Sequence, residues 1–139
     1  MAKAISTIQK CGWCYAAVFL GVYLMDYVPG VMDANGKMFG LFSMTPLVDI
    51  GHLVLGALAV ISAWYSARLA RIYFYFLGVV YGIDVVSYVL MHLHTMSPRD
   101  NFLVNLPHTI IFISAFYIAA KVDRAGGDAT RANATSVSA

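Results

Sequence analysis

Four long apolar stretches, almost free of charge, limit what this chain can fold into more than any other feature of its sequence. Each is close to the roughly 20 residues that a helix needs to cross the hydrocarbon layer of a membrane. A barrel needs about eight strands, and isolated strands leave backbone groups unsatisfied in lipid, so only helices remain. The sequence therefore predicts an all-α membrane protein with spans at 11–29, 46–65, 71–92 and 102–120.

The composition agrees with lipid as the surrounding solvent. The chain is 60% hydrophobic and 12% charged, whereas about a quarter of the residues in a soluble domain are charged. A net charge of +2 and the absence of a basic run argue against nucleic acid as a partner. We predict one transmembrane domain over 1–125, in contact with lipid, and a polar tail over 126–139. The first stretch lacks a signal-peptide cleavage site, and we interpret it as a retained span.

The positive charges predict the orientation in the membrane. Of the nine Lys and Arg residues, seven lie on one predicted side and two on the other. The seven are Lys3, Lys10, Arg68, Arg71, Lys121, Arg124 and Arg131, and the two are Lys37 and Arg99. Because cytoplasmic loops carry the excess of Lys and Arg, we expect both termini and the middle loop to be cytoplasmic.

The second and fourth stretches align without a gap, which indicates an internal duplication. Residues 47–52 (LVDIGH) match 103–108 (LVNLPH), and the first and third stretches share the sequence FLGV at 19–22 and 76–79. A two-span unit returns the chain to its starting side, so two such units run in the same direction. We therefore predict a four-helix bundle built from two similar helical hairpins as a direct repeat.

Ionisable residues inside the stretches are the candidate functional residues, because a central carboxylate in the hydrocarbon layer costs about 3 kcal/mol on insertion scales. In the predicted topology they gather in the outer half of the membrane. Asp or Asn precedes His by three residues in two of the spans, which places both side chains on one helix face. The predicted polar layer contains Asp49, His52, Asp84, Tyr88, His92, Asn105 and His108.

Three roles for this layer stay open from the sequence alone. The polar side chains could form interhelical hydrogen bonds that hold the bundle together, a common use of polar groups in membranes. They could form a cofactor site, in which His52 and His108 bind haem iron, or these two and Asp49 bind a divalent transition metal. They could also form a proton or small-ligand site centred on Asp84.

Small residues at four-residue spacing let helix backbones approach closely in a membrane. Two pairs have this spacing, Ala17 with Gly21 and Gly78 with Gly82. We expect these pairs where the two hairpins meet, or alternatively where a second copy of the chain binds. Cys11 and Cys14 form a Cys-x-x-Cys pair, but no strand–helix pattern of a redox fold surrounds it. We interpret both as ordinary interfacial cysteines.

Several short motifs recur in a known family. They are His52 to Gly56 (HLVLG), Ser66 to Arg68 (SAR), Leu77 to Tyr81 (LGVVY), and Asn105 followed by His108. With them the chain resembles the bacterial four-helix membrane proteins named domain of unknown function 4383, over about 15–120. The resemblance implies a four-helix fold in a bacterial cytoplasmic membrane, and it implies no activity.

The short predicted loops leave little space for a catalytic domain, so we favour a non-enzymatic role. The leading prediction is an accessory or scaffold subunit that packs against itself or against a larger membrane complex. One alternative is a haem- or metal-binding protein that uses His52 and His108. The other is a protein that handles protons or a small ligand at Asp84.

Overall fold

The computed structural model describes residues 5–122, and this part of the chain contains four helices that are long and apolar enough to cross a membrane. They are α1 (Thr7–Met25), α2 (Pro46–Tyr65), α3 (Ala67–Met91) and α4 (Pro98–Lys121). The prediction of an all-α protein with four membrane spans is confirmed. The polar tail predicted at 126–139 lies outside the described residues.

Serine caps start three of the helices earlier than their apolar stretches predict. The side chains of Ser6, Ser66 and Ser97 each accept a hydrogen bond from the backbone N–H three residues further along. The helices therefore begin at 7, 67 and 98 instead of 11, 71 and 102, because capping sets a helix start and hydropathy does not. Ser66 alone connects α2 to α3, so Arg68 and Arg71 belong to α3 and not to a loop.

The connection between α1 and α2 contains a small antiparallel hairpin, which the apolar pattern does not predict. Its strands are β1 (Lys37–Met38) and β2 (Phe42–Ser43). Phe39 between them has a positive φ of 53°, an unusual conformation for a bulky residue. In a bundle of four successive spans, this hairpin and the turn at 92–97 lie on the same side, called the loop side below.

The helices pack most extensively as two pairs, α1 with α2 and α3 with α4. In the first pair, glycines allow the close approach. A Cβ atom at Gly12 would lie 2.8 Å from the Cβ atom of Ala63, and one at Gly56 would lie 2.7 Å from the side chain of Leu20. Since neither position has space for a methyl group, the packing of α1 on α2 depends on both glycines.

The predicted small-residue pairs fall into two different environments. Cβ atoms at Gly78 and Gly82 would lie 2.8 and 2.9 Å from phenylalanine rings of α4. These glycines therefore join α3 to α4 within one predicted hairpin, and do not mark a contact between the hairpins. In α1, Ala17 is exposed, and a Cβ atom at Gly21 would meet nothing within 4 Å. This face of α1 is uncovered in the described part of the chain.

Large side chains fill the space between the two helix pairs. Phe19, Phe74 and Leu77 are fully buried there. The hydroxyl of Tyr73 donates a hydrogen bond to the backbone carbonyl of Leu55 across 3.1 Å. Such a bond satisfies a polar group that lipid cannot solvate, and it fixes α3 against α2 beside the site described next.

Candidate functional site

A cavity of about 170 Å³ opens between α2, α3 and α4. Its lining residues are Val48, Gly51, His52, Leu55, Val80, Tyr81, Asp84 and His108. At a rise of 1.5 Å per residue, His52, Asp84 and His108 lie about 9 to 15 Å inside the helix ends on the loop side. The cavity is therefore at membrane depth, in the half of the bundle that the sequence analysis predicts to be polar.

Asp84 and His108 form a hydrogen bond between their side chains across the interface of α3 and α4. The Oδ2 atom of Asp84 lies 2.5 Å from Nδ1 of His108, while the two side chains remain 48% and 36% exposed. A hydrogen bond to an ionised carboxylate is stronger than one between two neutral groups. Pro107, directly before His108, lies inside α4 and not near its start. Its missing N–H removes one helical hydrogen bond beside the cavity.

His52 faces the same cavity from α2. Its Nδ1 atom lies 2.9 Å from the backbone carbonyl oxygen of Val48, one turn earlier in the same helix. Aromatic rings connect the two imidazoles: Phe19 packs on His52 at 6.1 Å, Tyr81 on Phe19 at 5.9 Å, and His108 on Tyr81 at 5.1 Å between centroids. The two histidines predicted as a pair thus share one cavity and one aromatic support.

Three other members of the predicted polar layer lie away from this cavity. Asn105 is buried and donates from Nδ2 to the carbonyl of Val85 at 3.2 Å, so it ties α4 to α3. Tyr88 and His92 stack on each other with centroids 4.2 Å apart, at the end of α3. The predicted layer is therefore a cavity site with a separate group of interhelical and helix-end contacts.

Asp49 also lies outside the cavity lining, and its carboxyl group approaches Asp26 at the end of α1. Each of these two residues has a buried Oδ1 atom without a hydrogen-bond partner in the described structure. Desolvation, together with the neighbouring Asp49 carboxyl group, raises the pKa of Asp26 to about 6. Asp26 was not among the predicted site residues, because sequence spacing does not relate the end of α1 to the start of α2.

The predicted metal ligands are only partly brought together. Within residues 5–122, no group of three or more His, Cys, Asp or Glu side chains is placed to hold a metal ion. Asp49 is directed toward Asp26, so it does not join His52 and His108 as a third ligand. The acidic residue that does accompany the histidines is Asp84, through its bond to His108.

A family model agrees with the sequence motifs. The model of a domain of unknown function (DUF4383) matches residues 9–109. The chain belongs to the DUF4383 family. The match includes every residue that lines the cavity of this DUF4383 protein, as well as α1, α2 and α3 in nearly full length. No curated protein and no solved structure matches the chain.

Five residues that line the cavity of this DUF4383 protein were not predicted as site residues, and Tyr81 and Gly51 are two of them. Tyr81 lies three residues before Asp84 on the same face of α3, so helical spacing was a signal for it. Gly51 lies one residue before His52, and a Cβ atom there would meet nothing within 4 Å. No sequence signal distinguishes Gly51 from the packing glycines, because both kinds occur in apolar helices with similar neighbouring residues.

Proposed function

We propose that this DUF4383 protein binds a small polar ligand or a proton in the cavity, with Asp84, His108 and His52 as the interacting groups. In this proposal the protein lies in a bacterial cytoplasmic membrane with both termini inside, so the loop side faces outward. The ligand enters from that side. The observation that supports the proposal best is the Asp84–His108 hydrogen bond in a cavity shared with His52.

The exposure of the hydrogen-bonded Asp84 and His108 side chains argues against a purely structural role. Asn101 and Asn105 are 6% and 4% exposed, as expected of polar groups that only join helices. Asp84 is 48% exposed at a depth where a carboxylate is costly. Ionisable residues at membrane depth normally face a bundle interior or a water-filled cavity. An exposed hydrogen bond between Asp84 and His108 beside a cavity therefore favours a binding site over a contact that only joins helices.

The size of the cavity limits the ligand. Pockets for drug-sized ligands measure about 300–1,000 Å³, and this cavity measures about 170 Å³. Such a volume suits a few water molecules, an ion or a very small molecule. The haem alternative does not fit, because a macrocycle would require α2 and α4 to separate.

Cysteine labelling tests the proposal without knowledge of the ligand. In a variant with Cys11 and Cys14 replaced by Ser, Gly51→Cys introduces one thiol at the cavity, where the structure has space for it. A thiol reacts with maleimide as the thiolate, which requires contact with water. We expect a membrane-impermeant maleimide, added to intact cells, to label this cysteine.

Val54→Cys is the matched control, since it lies about one turn deeper in α2, and Val54 is 49% exposed outside the cavity lining. We expect no labelling of Val54→Cys, because its side chain faces lipid. If Gly51→Cys is labelled only after the cells are permeabilised, the cavity opens toward the cytoplasm and the proposed orientation is wrong. Failure to label it under either condition would refute the cavity as a ligand site.

An accessory or scaffold role is the second candidate function. The uncovered Ala17 and Gly21 face of α1 supports it, because small residues suit close contact with another helix. Gly21→Leu should then release a co-purifying membrane subunit or separate a dimer in mild detergent. Unchanged migration of wild type and variant as the same monomer would contradict this role.

A further inference from the structure

We propose that the ligand is one late first-row transition-metal ion, such as Zn²⁺ or Cu²⁺, bound between Nε2 of His52 and Nε2 of His108. The inference rests on the proposed function, since it names the ligand class of the same cavity. It is carried by the hydrogen bonds of the two Nδ1 atoms, which leave the opposite ring nitrogens for a ligand.

The bond of His52 fixes which ring nitrogen carries the proton. A backbone carbonyl oxygen can only accept, so the contact from Nδ1 to the oxygen of Val48 at 2.9 Å requires a proton on Nδ1. A neutral imidazole with that proton has its lone pair on Nε2. Within residues 5–122, this nitrogen has no hydrogen-bond partner.

The same reasoning applies to His108. An ionised carboxylate can only accept, so Nδ1 of His108 donates its proton to Oδ2 of Asp84. The lone pair of the neutral imidazole again lies on Nε2, which makes no hydrogen bond in the described part of the chain. Two imidazoles of the same tautomer thus line one cavity.

This arrangement is the usual outer shell of metal-binding histidines. A histidine ligand almost always donates its other ring N–H to a carboxylate or a backbone carbonyl, which orients the ring. His108 uses the carboxylate of Asp84, and His52 uses the carbonyl of Val48. The negative charge of Asp84 also lowers the cost of placing a cation at membrane depth.

The donor set selects the class of metal. Imidazole nitrogens suit Zn, Cu, Ni and Fe, whereas Mg²⁺ and Ca²⁺ require oxygen ligands. Because the described residues offer no third ligand, the remaining positions of the ion are open to water or to a transported or exchanging ligand. Such a site holds an ion less tightly than a closed structural zinc site.

Equilibrium dialysis of the purified full chain against Zn²⁺ in mild detergent tests the inference. We expect one equivalent of Zn²⁺ in the wild type and a loss of affinity of more than about 100-fold in His52→Gln and His108→Gln. Asp84→Asn removes only an outer-shell partner, so we expect a loss of about 10- to 100-fold.

His92→Gln is the matched control, because Nδ1 of His92 also bonds a carbonyl one turn back, that of Tyr88, but His92 lies outside the cavity. Its Zn²⁺ affinity should equal that of the wild type. Absence of Zn²⁺ and Cu²⁺ binding to the wild type would overturn the inference. So would Zn²⁺ binding by His52→Gln and His108→Gln that is as tight as that of the wild type.

A measurement on the wild type keeps the test independent of variant folding. Diethyl pyrocarbonate acylates unprotonated imidazole nitrogens, and peptide mass spectrometry locates the products. Zn²⁺ should protect His52 and His108 and leave His92 reactive, whereas equal modification with and without Zn²⁺ would refute the metal. If Gly51→Cys is labelled from outside but neither metal binds, the metal inference fails and the proposed ligand cavity remains.

Discussion

Replacing Gly12 by Ala tests whether close backbone approach holds α1 against α2. The added Cβ atom would lie 2.8 Å from Cβ and 3.6 Å from Cα of Ala63. Neither atom of Ala63 can move by a change of rotamer, so the two helices must shift apart. Overpacking of this kind costs about 1–3 kcal/mol, and the better helix propensity of Ala returns up to about 1 kcal/mol. We expect a net loss of about 1–2 kcal/mol in the free energy of unfolding.

Gly21→Ala is the matched control on the same helix, since its Cβ atom would meet nothing within 4 Å. Both variants gain the same helix propensity, so the difference between them isolates the overpacking cost of about 1–3 kcal/mol. The double variant Gly12→Ala with Ala63→Gly exchanges the position of one methyl group across the interface. It should recover much of the loss.

Unfolding by increasing sodium dodecyl sulphate in mixed micelles, followed by circular dichroism, measures these differences. Tryptophan fluorescence gives a second signal, because the rings of Trp13 and Trp64 lie 6.3 Å apart across the same helix pair. Equal stability of Gly12→Ala and Gly21→Ala would refute the close-packing argument. So would a double variant that is no more stable than Gly12→Ala.

Two further predictions concern groups outside the cavity. Desolvation and the adjacent Asp49 raise the pKa of Asp26 from 3.8 to about 6. The protonated Asp26 side chain therefore contributes stability that is fully present below pH 3.8 and is lost as the pH rises through about 6. Thermal unfolding from about pH 4 to 8 should show this decline, and Asp26→Asn should flatten it. Arg71 donates to two carbonyls at the end of α4, at 2.9 and 3.0 Å. Arg71→Met should lower the free energy of unfolding by about 1.5–3 kcal/mol and speed hydrogen exchange at 118–122. The control Arg68→Met, at an exposed position, should change neither quantity.

The sequence was sufficient for the four spans, because lipid imposes a length and an apolar composition that few other structures share. It was less informative about helix starts, which depend on the hydroxyl groups of single serines such as Ser66. The hairpin around Phe39 escaped prediction for a related reason. Two-residue strands carry no alternating pattern, so only the fold reveals their pairing.

The sequence predicted His52, Asp84 and His108 as site residues, and it predicted only part of how the polar residues are grouped. Spacing along one helix placed Asp49 beside His52 and Asn105 beside His108. In the structure, Asn105 and His108 instead bond to residues of α3, whereas His52 bonds within its own helix. Asp84 and His108 are 24 residues apart, and no local pattern relates them. Which faces of α3 and α4 meet depends on the glycines of α3, and sequence alone did not settle that contact.

The internal repeat stays a prediction, but the hydrogen bonds favour a different register for α1 and α3. Gln9 Nε2 donates to the carbonyl of Ala63 at 2.7 Å, and Arg71 Nη1 donates to that of Ala119 at 2.9 Å. Ala63 and Ala119 are matched positions, 56 residues apart, so Gln9 and Arg71, 62 apart, hold equivalent places. The buried residues of α1, at 8, 12, 16 and 19, also recur as buried residues of α3 at 70, 74, 78 and 81. The FLGV match, offset by 57, does not reproduce either observation.

In the predicted repeat, this register relates the different partners of the two histidines to the sequence. It makes His52 and His108 equivalent positions 56 residues apart, and the position 62 residues before Asp84 is Val22. The first hairpin therefore offers a valine where the second offers a carboxylate, and His52 bonds the carbonyl of Val48 instead. Two identical hairpins would have placed a second carboxylate at membrane depth, at a further cost of about 3 kcal/mol. Both imidazoles donate from Nδ1, one to a carbonyl and one to a carboxylate, so the pair has one tautomer and a single negative charge beside it, which suits one cation between them.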